Sequence, residues 1–274
     1  MANFHVIAGP DETLARPTVR KIGTADLKAA LRKGVEDFNE MPTHLVFVGL
    51  IYVLFGIVLA ALTFSSNALP LLFPLVSGFA LLAPFAAIGL YELSRRRELG
   101  LDTSWDHLFD VLRSPSLPAI LALGVVLMVI FVAWLMTAQA LYEWLYGPMA
   151  PQSYPAFLWE VLTTPRGWTM IILGHAIGFI FAAIVFSVSV ISFPLLLDRD
   201  VGAACAVQTS IRAVMANPVP MALWALIIAA LVMIGSAPLL VGLAVVVPIL
   251  GHASWHLYRR TIEPTEGTNP APLA

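Results

Sequence analysis

Six long apolar stretches divide the chain, and the polar segments between them carry nearly all of its charge. A transmembrane helix needs about 20 consecutive apolar residues. Windows of about this length occur at 44–64, 69–91, 117–138, 168–191, 219–235 and 238–257. Because a backbone that crosses the hydrocarbon core must satisfy its own hydrogen bonds, we expect every window to be a helix. The pattern therefore predicts an all-α, polytopic membrane protein with a six-helix transmembrane domain over 24–260.

The two ends of the chain show no periodic apolar pattern. Residues 1–23 are mainly polar, and residues 261–274 include Pro264, Gly267 and Pro270. Segments of this composition lack the apolar side chains that would hold them in a packed core. We expect both ends to be mobile tails.

A short amphipathic segment precedes the first, third and fifth windows. Apolar residues recur in these segments at helical spacing. They are Leu27, Leu31, Val35 and Phe38, then Trp105, Leu108, Phe109 and Leu112, then Val207, Ile211 and Val214. Since each segment also has charged positions, we expect three helices that lie on the membrane surface.

The chain also shows weak internal similarity. Residues 77–96 align with residues 241–260, so that Gly78 matches Gly242 and Pro84 matches Pro248. We therefore predict three copies of one unit, a surface helix followed by a helical hairpin. All three would run in the same direction through the membrane, which makes the repeat parallel rather than inverted.

Composition and charge agree with a membrane protein and give its orientation. The chain is 59% hydrophobic and 12% charged, with a mean hydropathy of +0.86, outside the range of ordinary soluble domains. Of the 15 Lys and Arg residues, only Arg166 lies across the predicted membrane from the others. The positive-inside rule then places both termini in the cytoplasm. The single cysteine, Cys205, has no partner for an internal disulfide, and we expect it to be a small buried residue.

Two segments outside the apolar windows are candidates for docking a partner protein. The long segment 139–167 on the predicted outer side is rich in aromatic residues, including Trp144, Tyr146 and Trp159. These residues are typical of an interfacial belt, and a docking surface is the alternative. The charged run Asp198, Arg199 and Asp200 follows the fourth window. It is either a solvated helix end or a second docking point.

Three histidines fall at a similar depth near the predicted cytoplasmic edge. His44, His252 and His256 lie within a few residues of window ends, whereas His175 lies about 10 Å from the outer face. Convergence of His44, His252 and His256 would suit a haem. A lone histidine in an apolar helix more often bonds a neighbouring carbonyl or hydroxyl group. We therefore expect no cofactor and no metal site, with haem at these three histidines as the less favoured reading.

Recognisable enzyme signatures are missing from the sequence. It contains no nucleophile elbow, phosphate-binding loop, HExxH or CxxC motif, and we assign no catalytic residue. Ion and proton carriers usually place carboxylates or arginines within their spans. Here no such group lies deeper than Glu92, which is itself near a window end.

Three phrases resemble a known family. They are VRKIGTADLKAALRKGVEDF (19–38), SFPLLLDRDVGAACAVQTSIRAVMANPVPM (192–221) and VVPILGHASWHLYRR (246–260). They are similar to a bacterial integral membrane family of unknown function, domain-of-unknown-function family 2189. Some of its members carry a cytochrome c oxidase label. The resemblance covers roughly 19 to 260, and it implies a six-span protein of the bacterial inner membrane with a respiratory association.

We favour a non-catalytic inner-membrane protein that is an accessory or assembly partner of a respiratory or other energy-transducing complex. Its expected partners are membrane lipids and other integral membrane proteins, and nucleic acid is not among them. The first alternative is a carrier or channel for a small apolar or amphipathic solute. The second is a haem-binding redox protein that uses His44, His252 and His256.

Overall fold

A computed structural model of the chain describes residues 17–41, 87–148, 154–237 and 242–264, together with Gly56, Pro74 and Pro84. Apart from Gly56, the predicted span 44–64 lies outside these described residues, as do His44 and most of the span 69–91. The helices are α1 (Thr24–Glu40), α2 (Ile88–Glu98), a 3₁₀ helix (Trp105–Arg113), α3 (Leu117–Tyr146), α4 (Tyr154–Thr163), α5 (Pro165–Ser189), α6 (Ser192–Asp198), α7 (Ala203–Ala216), α8 (Pro218–Ser236) and α9 (Leu243–Thr261).

The prediction of an all-α protein is confirmed for the described residues, which contain helices and no strands. Three helical stretches within them are long and apolar enough to cross a membrane. These are Leu117–Tyr146, Pro165–Asp198 and Pro218–Ser236. The six-span count and the three-fold repeat stay predictions.

Contacts divide the chain into two compact units. The first comprises Met1–Val53, Pro84–Gly124 and Phe186–Ala274, and the second comprises Leu54–Ala83 and Val125–Val185. The first unit holds α1, α2, the 3₁₀ helix, α6, α7, α8 and α9, and most of the described polar contacts lie within it.

The centre of the first unit is the contact between α1 and α9. The buried face of α1 is formed by Leu27, Ala30, Gly34 and Asp37. A Cβ atom added at Gly34 would lie 2.7 Å from the Cβ of Ala253, so the two backbones approach closely because neither residue has a large side chain. This close approach brings a carboxylate of α1 against the middle of α9.

Residues 17–23 are tied to the end of α9 and to the α7–α8 junction. The Arg20 amide donates to the carbonyl of Thr261 at 2.8 Å, and Val19 forms an isolated antiparallel bridge with Ile262. The buried amide of Asn217 accepts from the Ile22 backbone at 2.9 Å and donates to the Arg20 carbonyl at 3.0 Å. These bonds order a stretch that the composition assigns to a tail.

The amphipathic segments bury only part of the apolar faces that the sequence predicts. The buried face of α7 consists of small residues such as Cys205, Thr209 and Ala213, while Met215 is 75% exposed. The segment Trp105–Arg113 is a 3₁₀ helix, and its Phe109 is 59% exposed. In α7 the groups that face the protein are small or polar, whereas the 3₁₀ helix buries Val111 and packs Leu108 against the core.

In the second unit, α3 and α5 meet at small residues. The ring of Trp134 lies 5.6 Å from that of Phe181 and would lie 3.2 Å from a Cβ added at Gly178. Its indole nitrogen donates to the Pro74 carbonyl at 2.8 Å. The segment 139–167 is largely helical here, because α3 continues to Tyr146 and α4 begins at Tyr154.

Candidate functional site

Five polar residues from three helices meet inside the first unit, and we call them the Asp37 cluster: Asp37, Ser94, Arg97, His252 and His256. Asp37 comes from α1, Ser94 and Arg97 from α2, and the two histidines from α9. Ser94 and Arg97 are three apart, and His252 and His256 are four apart. Each pair therefore shares one helix face and points toward the same neighbour.

The carboxylate of Asp37 is the centre of this cluster. Its Oδ2 accepts hydrogen bonds from Ser94 Oγ at 2.6 Å and from His256 Nε2 at 2.9 Å. Its Oδ1 pairs with the guanidinium of Arg97. Asp37 is only 3% exposed. A buried carboxylate is tolerated when both oxygens are paired and hydrogen-bonded, as they are here.

These contacts keep Asp37 ionised. Burial by itself raises its pKa, but the hydrogen bonds from His256 and Ser94 and the charges of the two histidines lower the pKa from 3.8 to about 2. The cluster therefore holds a permanent negative charge at neutral pH, and Arg97 compensates it.

His252 occupies the deepest position in the cluster. Its Nδ1 bonds Ser94 Oγ and lies 3.6 Å from Asp37 Oδ2. The Ser94 hydroxyl donates its proton to Asp37, so the Ser94 oxygen accepts a hydrogen bond from His252 Nδ1–H. The other ring nitrogen of His252, Nε2, then carries a lone pair. Among the described residues that Nε2 has no hydrogen-bond partner, and the His252 side chain is fully buried.

The cluster is not the catalytic triad of a hydrolase. In a triad the histidine lies between the carboxylate and the serine. Here Ser94 itself bonds both Asp37 and His252. Ser94 is also only 1% exposed, so no substrate reaches its hydroxyl in this arrangement. The contacts of the Asp37 cluster join α1, α2 and α9.

Of the three histidines proposed as haem ligands, the structure describes His252 and His256, and both take part in the Asp37 cluster. His256 Nε2 is taken by Asp37, and His252 Nδ1 is taken by Ser94. The remaining nitrogen of His252, Nε2, is fully buried and has no hydrogen-bond partner among the described residues. Within the described ranges, no group of three or more His, Cys, Asp or Glu side chains is placed to hold a metal ion. His175 bonds the Ile171 carbonyl of its own helix at 2.7 Å.

A second polar network joins α2, α6 and α9 beside the Asp37 cluster. Tyr258 donates to Asp198 Oδ2 at 2.6 Å. Arg259 donates to Glu98 at 3.0 Å and lies 3.5 Å from Asp198. Arg199 also approaches Asp198 at 3.5 Å. Asp198 and Arg199, two of the predicted docking residues, therefore take part in contacts within the unit. Asp200 is half-buried.

The aromatic candidates on the predicted outer side differ in their exposure. Trp144 is 71% exposed and Trp159 is 72% exposed. Tyr146 instead stacks on Tyr142 with 5.4 Å between ring centres, and its edge contacts Phe157. The side chains of Trp144 and Trp159 are therefore exposed, whereas Tyr146 packs in an aromatic cluster with Tyr142 and Phe157.

Three members of the Asp37 cluster were missed by sequence reasoning: Asp37, Ser94 and Arg97. A signal for Asp37 does exist, because Leu27, Ala30, Gly34 and Asp37 recur at helical spacing and form one face of α1. A carboxylate that continues a face of small and apolar residues must find a buried partner. Nothing in the sequence alone identifies that partner on α9, more than 200 positions away.

Comparisons with known proteins give one match, in the middle of the chain. No curated protein and no solved structure matches the chain. One family model matches residues 72–198, and its description is a predicted integral membrane protein. The family resemblance of the sequence is thereby confirmed over residues 72–198, where the chain is similar to the predicted integral membrane proteins of the family DUF2189.

Proposed function

We propose that this protein is a non-catalytic membrane protein that acts by lateral contact, as an accessory or assembly partner of a respiratory or other energy-transducing complex in the bacterial inner membrane. The observation that carries the proposal is the separation of its polar and apolar groups. Among the described residues, the most deeply buried charged groups are paired with one another, and many large apolar and aromatic side chains are exposed.

The polar interior supports a structural role for the charged residues. Besides the Asp37 cluster, Glu92 is fully buried and receives two hydrogen bonds from Arg95, at 2.8 and 2.9 Å. Pairing of this kind neutralises a buried charge. These contacts support a rigid scaffold at the predicted cytoplasmic side.

The long apolar helices support contact rather than ion transport. In α3, α5 and α8 the charged side chains are confined to the helix ends, at Glu143 and Arg166. A carrier for ions or protons would place ionisable groups along its path. Exposed groups such as Met136 and Phe179, at 69% and 74%, offer only apolar contact.

Trp144 and Trp159 are the best candidates for the contact itself. Tryptophan supplies a large apolar surface with one polar atom, and it is enriched both at membrane interfaces and at the centres of protein interfaces. The pair is exposed over most of its surface, on helices that already carry an ordered aromatic cluster. The respiratory association rests on the label that some members of the family carry.

The test is crosslinking in native membranes. A photoreactive phenylalanine derivative replaces Trp159, and the matched control carries the same group at Phe179, which is equally exposed but within an apolar helix. We expect a single protein adduct from position 159 that contains a respiratory or other energy-transducing subunit, and lipid adducts from position 179. Only lipid or self-adducts from both positions would remove the accessory role.

Co-purification gives an independent measurement. The protein is extracted with a mild detergent through a C-terminal tag, and the crosslinked partner should co-elute in fixed stoichiometry. Elution as a clean monomer or homo-oligomer contradicts the proposal. Within the described residues, no observation favours the solute carrier or the haem protein over this function.

A further inference from the structure

Arg212, on α7, differs from every other arginine that the structure describes. Each of the others has a carboxylate oxygen within 4.0 Å. Arg212 has no such partner among the described residues. Its Nη2 instead donates to the carbonyl of Pro17 at 3.3 Å and to Thr209 Oγ1 at 3.2 Å. The guanidinium group of Arg212 is therefore the one among the described arginines that can pair with an anion from outside the described residues.

A groove of about 550 Å³ opens beside Arg212. Its described lining is Pro17, Thr18, Val19, Arg212, Met215 and Ala216. Lys21 reaches the rim, because its ammonium group donates to the Ala216 carbonyl, and it too has no carboxylate partner in the described ranges. The described lining contains no acidic residue. Two positive charges therefore face the groove, and no carboxylate among the described residues compensates them.

The groove lies where a membrane span begins. Ala216 ends α7, Asn217 caps it, and α8 starts at Pro218. The hydrogen bonds of buried Asn217 to Ile22 and Arg20 fix the opposite wall of the groove. Since α8 is long and apolar enough to cross a membrane, its first turn belongs at the level of the lipid headgroups.

An exposed apolar track leads away from the groove along the span. Met215 in the groove is 75% exposed, and Val219, Leu226 and Met233 on α8 are 74%, 64% and 70% exposed. The three α8 residues are seven apart and so share one helix face. This track begins beside the two cations and runs into the hydrocarbon region.

We propose that the groove binds the phosphate group of a membrane phospholipid, with Arg212 and Lys21 as its cations and an acyl chain along Met215, Val219 and Leu226. A free phosphate ion would use the same cations but would leave the apolar track unused. The guanidinium group suits phosphate because it offers several donors in one plane. This site is separate from the aromatic surface on the predicted outer side.

The test counts retained lipid by native mass spectrometry. The whole protein is reconstituted with phosphatidylglycerol and phosphatidylcholine, extracted in mild detergent and compared with Arg212→Gln, Lys21→Gln and Arg212→Lys. Lys28→Gln is the matched control, since Lys28 is an exposed cation on α1 outside the groove. We expect about five-fold less retained phosphatidylglycerol for each groove cation removed, the ratio that about 1 kcal/mol per cation gives. Arg212→Lys should retain most of it, and Lys28→Gln should match the unchanged protein.

Three results would overturn the proposal. Equal retention by Arg212→Gln and Lys28→Gln would show that the groove cations do not select the lipid. Stabilisation of the detergent-solubilised protein by inorganic phosphate, lost in Arg212→Gln and not reproduced by lipid, would assign the site to a free ion. Lipid retention that appears only after Asp11→Asn and Glu12→Gln would mean that carboxylates of the chain itself occupy the groove.

Discussion

Removing the charge of Asp37 should destabilise the first unit more than removing any exposed carboxylate. Asp37→Asn keeps the shape of the side chain but places an amide group where Arg97 and the donors from Ser94 and His256 converge. Breaking a buried ion pair from one side costs about 3–5 kcal/mol, because the remaining charge stays buried without a partner. For a protein of this size about 3 kcal/mol corresponds to a Tm lower by about 6–12 °C.

The assay is thermal unfolding in a fixed detergent, with Asp26→Asn as the matched control. Asp26 is a carboxylate on the same helix that also pairs with an arginine, Arg260 at 2.9 Å, but its side chain is 33% exposed. An exposed pair contributes about 1 kcal/mol or less. Equal Tm losses for Asp37→Asn and Asp26→Asn would refute the view that burial makes the cluster a structural lock.

The stability that Asp37 contributes also has a predicted pH dependence. Its pKa in the folded protein, about 2, lies below the usual 3.8, so the folded state favours the charged form. The contribution, about 2 kcal/mol, is fully present above pH of about 4 and is lost as the pH falls from about 4 through about 2. The Tm difference between the unchanged protein and Asp37→Asn should therefore shrink between pH 5 and pH 3. A constant difference would mean that Asp37 does not titrate at a lowered pKa.

Two further predictions concern helix packing and orientation. Gly34→Ala should destabilise the protein by about 2 kcal/mol and lower its Tm by about 4–8 °C, because the new Cβ would lie 2.7 Å from Ala253. The control Gly174→Ala should be tolerated, because the nearest neighbour of its Cβ would lie 3.8 Å away. Similar Tm values for the two variants would contradict the close contact between α1 and α9. In a Cys205→Ser background, a membrane-impermeant maleimide should label Trp159→Cys in intact cells and Lys28→Cys only after permeabilisation, and the reverse result would contradict cytoplasmic termini.

The apolar pattern predicts the long helices well because a membrane imposes a simple rule on them. An apolar run such as Leu117–Tyr146 has one stable conformation in hydrocarbon, whatever its neighbours are. The pattern is less informative about where such a helix ends. It stops the third window at 138, whereas α3 continues through Tyr146, and the aromatic segment beyond it is helical again in α4.

The polar sites could not be predicted to the same degree, because their meaning depends on long-range pairing. His252 and His256 stand out in the sequence as an isolated pair, which suggests a ligand. The structure gives both of them a partner, Asp37, that lies more than 200 positions earlier. The sequence does place Asp37 on a face of α1 that is otherwise small and apolar, which indicates a buried partner. The contact of α1 with α9 identifies that partner as the two histidines.

The same reasoning separates the two kinds of charge in the first unit. Asp37 and Arg97 are matched within the chain, so they hold helices together and offer nothing to an outside ligand. Arg212 and Lys21 are unmatched within the described ranges and lie at the start of a span, where anionic phosphate groups are abundant in a membrane. A phospholipid phosphate bound there, as we propose, would supply the counterion for these two cations and would join residues 17–21 to the start of α8.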